Sequence, residues 1–137
     1  MQVLVDTGIW SLALRRSKAS TNEAEKKLTA ALSDLIRDDR AKLIGPVRQE
    51  LLSGIREPAQ FHRIRQFLRA FSEPLDTNDY EDAAHLSNQC RARGITGSGV
   101  DFLICAVALH RDWQIFTADT DFQRYAKVIP IRLHPIQ

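Results

Sequence analysis

The sequence predicts an α/β protein in which a central, mostly parallel sheet carries helices on both faces. Short apolar runs of the kind that form buried strands alternate with longer segments whose apolar residues recur at helical spacing. No internal repeat, low-complexity segment or linker interrupts this alternation. Because parallel strands need a crossover connection, usually a helix, the alternation favours a parallel sheet over an antiparallel one.

The predicted strands are apolar runs bounded by charged or turn-forming residues. The first is the run V-L-V near the N-terminus, and the later runs follow segments with helical periodicity. We predict strands over 2–5, 41–44, 74–76, 113–117 and 127–131.

The predicted helices are marked by apolar periodicity and by residues typical of helix ends. Thr21 or Asn22 is suited to cap one helix, and Thr77 or Asn78 another, because these side chains accept hydrogen bonds from free backbone N–H groups. Gly94 is suited to follow a helix, where a left-handed residue is common. We predict helices over 22–37, 46–54, 58–71, 78–93 and 100–110, with a helical turn over 119–125.

Length and composition are those of one ordinary globular domain spanning 1–137. The chain has 137 residues, of which 44% are hydrophobic and 26% charged. No apolar run approaches the roughly 20 residues of a membrane span, and the start of the chain lacks the pattern of a signal peptide. We therefore expect a cytoplasmic protein. Cys90 and Cys105 lack metal-binding or redox spacing and are expected to be free thiols.

The balance of basic side chains is unusual, with 14 Arg and 5 Lys at a net charge of +2. Arginine suits phosphate because its planar guanidinium donates two parallel hydrogen bonds. An arginine-rich composition also follows from the base content of a genome, so the charge by itself does not establish a nucleic-acid partner.

Four acidic residues stand where a strand or helix pattern breaks. Asp6 closes the run V-L-V, and Asp119 comes just after the run I-F-T. Asp101 opens the apolar stretch F-L-I-C-A-V-A-L, and Glu50 lies in the predicted helix that follows the second strand. A buried carboxylate without a partner costs several kcal/mol of folding free energy. A cation shared by several such carboxylates would remove this cost. Because Mg²⁺ takes oxygen ligands, these acids predict an all-carboxylate metal site.

Each acid also has a purely structural explanation. Asp6 could end a strand, and Glu50 could be an exposed helix residue. Asp101 stands three residues after Ser98, the spacing of a capping box, so it could simply favour the helix N-terminus. Asp119 and Asp121 lie two apart, and one could cap the next helix while the other faces a site.

Other catalytic motifs fit the sequence poorly. The tripeptide Asp6-Thr7-Gly8 matches the aspartic-protease signature, but that class needs a mostly β chain. The second aspartate expected in haloacid-dehalogenase phosphatases is missing, and the G-x-G at 97–99 lacks the downstream Lys-Ser/Thr of a P-loop. The four histidines share no spacing typical of a catalytic triad or a metal site.

Taken in order, four blocks resemble the PIN-domain ribonucleases, in particular the VapC-type toxins of bacterial toxin–antitoxin pairs. The similarity extends over nearly the whole chain. The blocks are V-L-V-D6-T-G-I-W, R-Q-E50-L-L-S-G, G-S98-G-V-D101-F-L-I-C-A-V-A-L and I-F-T117-A-D119-T-D121-F.

This resemblance implies a three-layer α/β/α PIN-like fold and metal-dependent cleavage of RNA. It places Mg²⁺ or Mn²⁺ between Asp6, Glu50, Asp101 and Asp119, with Asp121 as the alternative for the last position because the fourth acid varies in this family. It further implies a homodimer and a small antitoxin whose C-terminal tail blocks the cleft. Two other functions stay open: a PIN-like binding module without catalysis, and a metal-dependent DNA 5′-nuclease.

Residues around the acids have predicted supporting roles. Thr7 and Ser98 are expected to donate hydrogen bonds to the ligands. Since clustered acids repel phosphate, basic residues nearby must hold the RNA. We expect Arg15, Arg16, Lys18 and Arg48 to do so, whereas Arg63, Arg65 and Arg69 are expected to form a solvated helix face.

Overall fold

The computed structural model describes residues 1–14 and 22–136, and this part of the chain forms four strands and seven helices. The strands are β1 (Val3–Val5), β2 (Ala41–Ile44), β3 (Ser72–Glu73) and β4 (Gln114–Phe116). The helices are α1 (Thr7–Leu14), α2 (Glu23–Arg37), α3 (Gly45–Leu52), α4 (Pro58–Arg69), α5 (Thr77–Ala92), α6 (Gly99–Arg111) and α7 (Asp121–Tyr125). Arg15, Arg16, Lys18 and Thr21 lie outside the described residues.

The four strands form one sheet in the order β3-β2-β1-β4, and every pairing is parallel. Strand β1 lies inside the sheet, where Val3 pairs with Ala41 on one side and with Gln114 on the other. All four carboxyl ends therefore meet at the same edge. The predicted three-layer α/β/α architecture with a parallel sheet is confirmed.

The core is built from buried strands and from the apolar faces of the helices around them. All three residues of β1 are buried, as expected for a parallel strand covered on both sides. Helix α6 is buried continuously from Phe102 to Ala108. Trp10 of α1 is also fully buried and packs against Phe71 with ring centroids 5.2 Å apart. The thiols Cys90 and Cys105 are free and buried in this core.

Side-chain caps mark where α2, α5 and α6 begin. Asn22 caps α2 in a capping box with Glu25, whereas Asp76 caps α5 in a second box with Asp79. The prediction of Thr77 or Asn78 as the α5 cap is wrong, because the carboxylate of Asp76 accepts the hydrogen bond from the N–H of Asp79. Ser98 caps α6 as its spacing predicts.

The end of α5 also follows prediction. Gly94 lies two residues beyond α5 with φ of +78°, a backbone angle that favours glycine.

Two of the predicted strands are wrong. The segment 74–76 is not a strand. Strand β3 lies just before it and pairs with β2 through Ser72 and Glu73. It ends at Pro74, which has no backbone N–H to donate to a neighbouring strand. The segment 127–131 forms turns, although Ile129 and Ile131 are buried in the core. Pro130 removes a donor there, and Leu133 makes an isolated parallel bridge to Ile115 instead.

Within the described residues, no helix combines the length and the apolar character that a membrane span requires.

A buried ionic network joins α5, α6 and the end of β3. Arg111 donates to both carboxylate oxygens of Asp79, at 2.9 and 3.0 Å, and to Glu73 at 2.5 Å. His110 contacts Asp79 at 2.7 Å and also bonds to Asp82. Asp79 is completely buried, and its bonds to Arg111 lower its pKa far below the usual range. These bonds hold the edge strand β3 against α5 and α6.

We predict that His110 stabilises the fold more at acid pH than at alkaline pH. The hydrogen bonds to Asp79 and then Asp82 raise the pKa of His110, so its protonated form is favoured in the folded state. The stabilisation is complete below the pKa of the unfolded state and is lost as pH rises through the folded-state pKa. Chemical denaturation should show that His110→Gln loses about 1 kcal/mol of unfolding free energy near pH 5.5 and less near pH 9.

The matched control is His85→Gln, since His85 is exposed on α5. A His110→Gln effect that grows with pH would contradict the prediction.

Candidate functional site

A cavity of about 570 Å³ opens at the carboxyl edge of the sheet, between the ends of β1 and β4. Its lining includes all four predicted acids: Asp6, Glu50, Asp101 and Asp119. Thr7, Gly8, Ser11, Ser98, Val100 and Ala118 complete the lining. The structure thus brings together acids that are spread over most of the sequence. We call this cavity the acidic cleft.

Asp6 is held at the end of β1 by two hydrogen bonds from uncharged groups. The Thr7 backbone N–H donates to Oδ1 at 2.7 Å, and the Thr117 hydroxyl donates to Oδ2 at 2.8 Å. Burial raises the pKa of Asp6 above its usual value despite these bonds, and the charges of Asp101 and Asp119 raise it further. The carboxylate is therefore oriented by hydrogen bonds but has no ionic partner within residues 1–14 and 22–136.

Asp101 stands in the first turn of α6 and is held in a similar way. Its backbone N–H donates to the Ser98 hydroxyl at 3.1 Å, and the Tyr125 hydroxyl donates to its Oδ2 at 2.7 Å. Burial raises the pKa of Asp101, and the nearby charges of Asp119 and Asp121 act in the same direction. Ser98 thus contacts the residue that the sequence predicts it to support.

The position of Tyr125 depends on a glycine. Its ring is fully buried and packs against Phe102 and Phe122, with ring centroids 4.9 and 5.2 Å away. A Cβ added at Gly97 would stand 2.0 Å from the Tyr125 hydroxyl oxygen and 2.6 Å from Cζ. Because such contacts cannot form, residue 97 must lack a side chain for Tyr125 to reach Asp101.

Asp119 and Asp121 both approach Asp101. One carboxylate oxygen from each of these three residues lies within 4.8 Å of the others. Asp119 lines the acidic cleft, and its Oδ1 accepts the Asp121 backbone N–H at 2.9 Å. Asp121 also accepts a hydrogen bond from Arg124 at 3.2 Å. Asp119 therefore both accepts a backbone N–H at the start of α7 and faces the cleft.

Glu50 reaches the cleft from α3 and is exposed. The Thr7 hydroxyl donates to its Oε2 at 3.3 Å, while the Thr7 backbone N–H holds Asp6. Thr7 therefore links the two acids, as a supporting residue should.

Sequence reasoning missed Thr117, Tyr125 and Gly97 as contributors to the cleft. Thr117 directly follows β4 in the I-F-T block. A hydroxyl residue at the end of a predicted strand could have identified it as a neighbour of the acids. Tyr125 gave no such signal, because its partner Asp101 lies 24 residues away.

The donor set fits a hard divalent cation. The polar side chains that line the cleft all carry oxygen, the ligand atom that Mg²⁺ and Mn²⁺ prefer. Among residues 1–14 and 22–136, no Lys or Arg forms a salt bridge with Asp6, Glu50, Asp101 or Asp119. A cation bound in the cleft would stabilise the charged form of these partly buried carboxylates, whose pKa values are raised.

Three solved structures of similar fold come from bacterial complexes. FitAcB from Neisseria gonorrhoeae matches with a TM-score of 0.73 and 19% identity over 98% of this chain and 97% of that one. DNA-bound VapBC2 from Rickettsia felis gives 0.75 and 15%, over 98% of each chain. DNA-bound VapBC from Salmonella typhimurium gives 0.70 and 13%, over 98% of this chain and 97% of that one. No curated protein matches the sequence.

The family model of the PIN domain matches residues 3–128, which include all four strands and every acid of the cleft. The match agrees with the family resemblance of the four sequence blocks. With this span and this fold, the chain belongs to the PIN domain family.

Proposed function

We propose that this chain is a metal-dependent endoribonuclease and the toxin of a type II toxin–antitoxin pair. The observation that carries the proposal is the acidic cleft, where Asp6 and Asp101 are oriented, partly buried and without a cationic partner among the described residues. Membership of the PIN domain family and the likeness in fold to VapBC complexes support it. We propose that 1–137 acts as one catalytic unit.

In this proposal Asp6, Glu50, Asp101 and Asp119 hold Mg²⁺ or Mn²⁺, with Asp121 as the alternative to Asp119. A bound divalent ion would supply an activated water and stabilise charge on the phosphate oxygens. Thr117 and Tyr125 fix the two deepest carboxylates, so the ligands need little rearrangement.

The chain's own groups also act on the attacking water. Glu50 is exposed in the cleft and accepts a hydrogen bond from the Thr7 hydroxyl at 3.3 Å, which leaves its carboxylate oxygens near the space that a substrate would enter. Glu50 or Asp119 then orients the water or accepts its proton, since a carboxylate within hydrogen-bond reach serves as a general base.

The proposed partners follow from the complexes of similar fold. One solved structure of similar fold is a toxin–antitoxin complex from Klebsiella pneumoniae, and we propose that the present chain likewise binds a cognate antitoxin and that it forms a homodimer. We also propose that it acts in the cytoplasm, where its RNA substrate is found.

We predict that Asp6→Asn and Asp101→Asn each reduce Mg²⁺-dependent RNA cleavage about 100-fold or more, because each removes a charged ligand. Cleavage of a labelled single-stranded RNA and of the DNA of the same sequence is followed by gel electrophoresis. The control is Asp34→Asn, an exposed acid on α2 that pairs with Arg37. Full cleavage by both variants would overturn the assignment, and cleavage of DNA alone would identify a DNA nuclease.

We predict that divalent metal stabilises the fold. Without metal the clustered carboxylates repel one another, and a ligand that binds the native state adds about 2.7 kcal/mol at a hundredfold excess over Kd. Thermal melts in EDTA and then in excess Mg²⁺ or Mn²⁺ should show a rise in Tm. Asp6→Asn should raise the Tm in EDTA and shrink the metal-dependent rise. Identical melts with and without metal would contradict a clustered site.

We predict that Gly97→Ala disturbs Asp101 through Tyr125. The new methyl group forces the Tyr125 ring to move, which removes the hydrogen bond to Asp101 and costs about 1–3 kcal/mol of stability. Cleavage should fall about 10-fold in both Gly97→Ala and Tyr125→Phe. Gly99→Ala is the matched control, because a Cβ there meets nothing within 4 Å. Equal effects of the two alanine substitutions would refute this dependence.

A further inference from the structure

A second cavity of about 560 Å³ opens at the same edge of the sheet. Arg48 and Gln49 line it from α3, Ser72 and Glu73 from β3, and Tyr80 from α5. Its volume lies within the range of about 300–1,000 Å³ typical of small-molecule sites. We call it the tyrosine cavity.

The tyrosine cavity is a neighbour of the acidic cleft. It lies beyond the carboxyl ends of β2 and β3, whereas the acidic cleft lies beyond those of β1 and β4. With strands about 4.8 Å apart, the two centres are separated by about 10 Å along the sheet edge. Helix α3 stands between them, since Arg48 and Gln49 line one cavity and Glu50 lines the other.

The side chains of the tyrosine cavity offer an aromatic face and a guanidinium that has no hydrogen-bond partner in the described part of the chain. Tyr80 is 52% exposed, a large value for an aromatic residue in a cavity wall. The Arg48 Nε is shielded from solvent and donates no hydrogen bond to any residue in 1–14 or 22–136. Since the guanidinium lines the cavity and its nitrogens make no hydrogen bond with the described residues, its Nη groups are suited to a ligand that brings an acceptor.

The tyrosine cavity carries one basic and one acidic side chain, Arg48 and Glu73. Glu73 is held by Arg111, whose Nε donates to it at 2.5 Å while its other nitrogens donate to Asp79. Arg48 forms no salt bridge within residues 1–14 and 22–136, so it is the group in this wall that can pair with an anionic ligand. This contrasts with the acidic cleft, which repels phosphate in the absence of metal.

We propose that the tyrosine cavity binds one unpaired nucleotide of the RNA, close to the scissile bond: its base stacks on Tyr80 and its phosphate pairs with Arg48. The inference rests on the proposed ribonuclease function. An aromatic ring stacks on any base that is free of its partner strand, and a guanidinium pairs with phosphate in two parallel hydrogen bonds. The cavity thus selects a single-stranded segment and positions the next phosphate over the acids.

The test measures cleavage kinetics and metal-free binding of a fluorescent single-stranded RNA. Tyr80→Ala should raise KM and the binding Kd about 10-fold while kcat changes little, whereas Tyr80→Phe should retain both values because the ring is kept. Arg48→Ala should weaken binding and reduce the slope of log K against log salt by about one. His85→Ala, on the exposed face of α5, is the control.

The outcomes separate this inference from the proposed function. If RNA is cleaved but Tyr80→Ala leaves KM and Kd unchanged, the nucleotide site is refuted and the ribonuclease stands. If RNA is bound in a Tyr80-dependent way but not cleaved, the nucleotide site stands and the ribonuclease falls. RNA that is neither bound nor cleaved refutes both. Loss of self-association in Tyr80→Ala at unchanged KM would show a protein contact and overturn the nucleotide site.

Discussion

Parallel pairing of all four strands is the constraint on which the rest of the molecule depends. Because each strand runs in the same direction, every carboxyl end arrives at one edge of the sheet. Asp6 follows β1 at that edge, and Thr117 follows β4 directly beside it. Both cavities open there for the same reason, and α3 contributes to each of them.

Carboxylates that are buried or partly buried in this protein fall into two groups, which differ in whether a basic side chain compensates their charge. Asp79 is paired with Arg111, and the pairing lowers its pKa, so the charge is compensated and serves the packing of α5 against α6. Within residues 1–14 and 22–136, the hydrogen bonds to the Asp6 and Asp101 carboxylates come from hydroxyl and amide groups, and burial raises the pKa values of both acids. Neutral donors orient a carboxylate without cancelling its charge, which leaves that charge available to a cation.

Much of the fold was predictable because its signals are local. Helix α6 is apolar on all sides and carries Ser98 at its start, so its extent and burial follow from neighbouring residues. The failed strands show where local signals end. The run 127–131 is apolar enough for a strand, but Pro130 and the turns after α7 place its isoleucines in the core without a ladder. In β3, the residues that pair with β2 are Ser72 and Glu73, and the apolar residue Leu75 lies outside the strand.

The sequence by itself determined the α/β class, the approximate positions of the longer helices and the acids that meet at the sheet edge, because strand ends and helix starts are encoded by adjacent residues. Only the tertiary structure decided which groups hold those acids. Thr117 reaches Asp6 across 111 positions, and Tyr125 reaches Asp101 across 24. Arg111 likewise meets Asp79 across 32. Such contacts form only when distant elements pack together. Periodicity and spacing along the chain do not show which side chain will contact which acid.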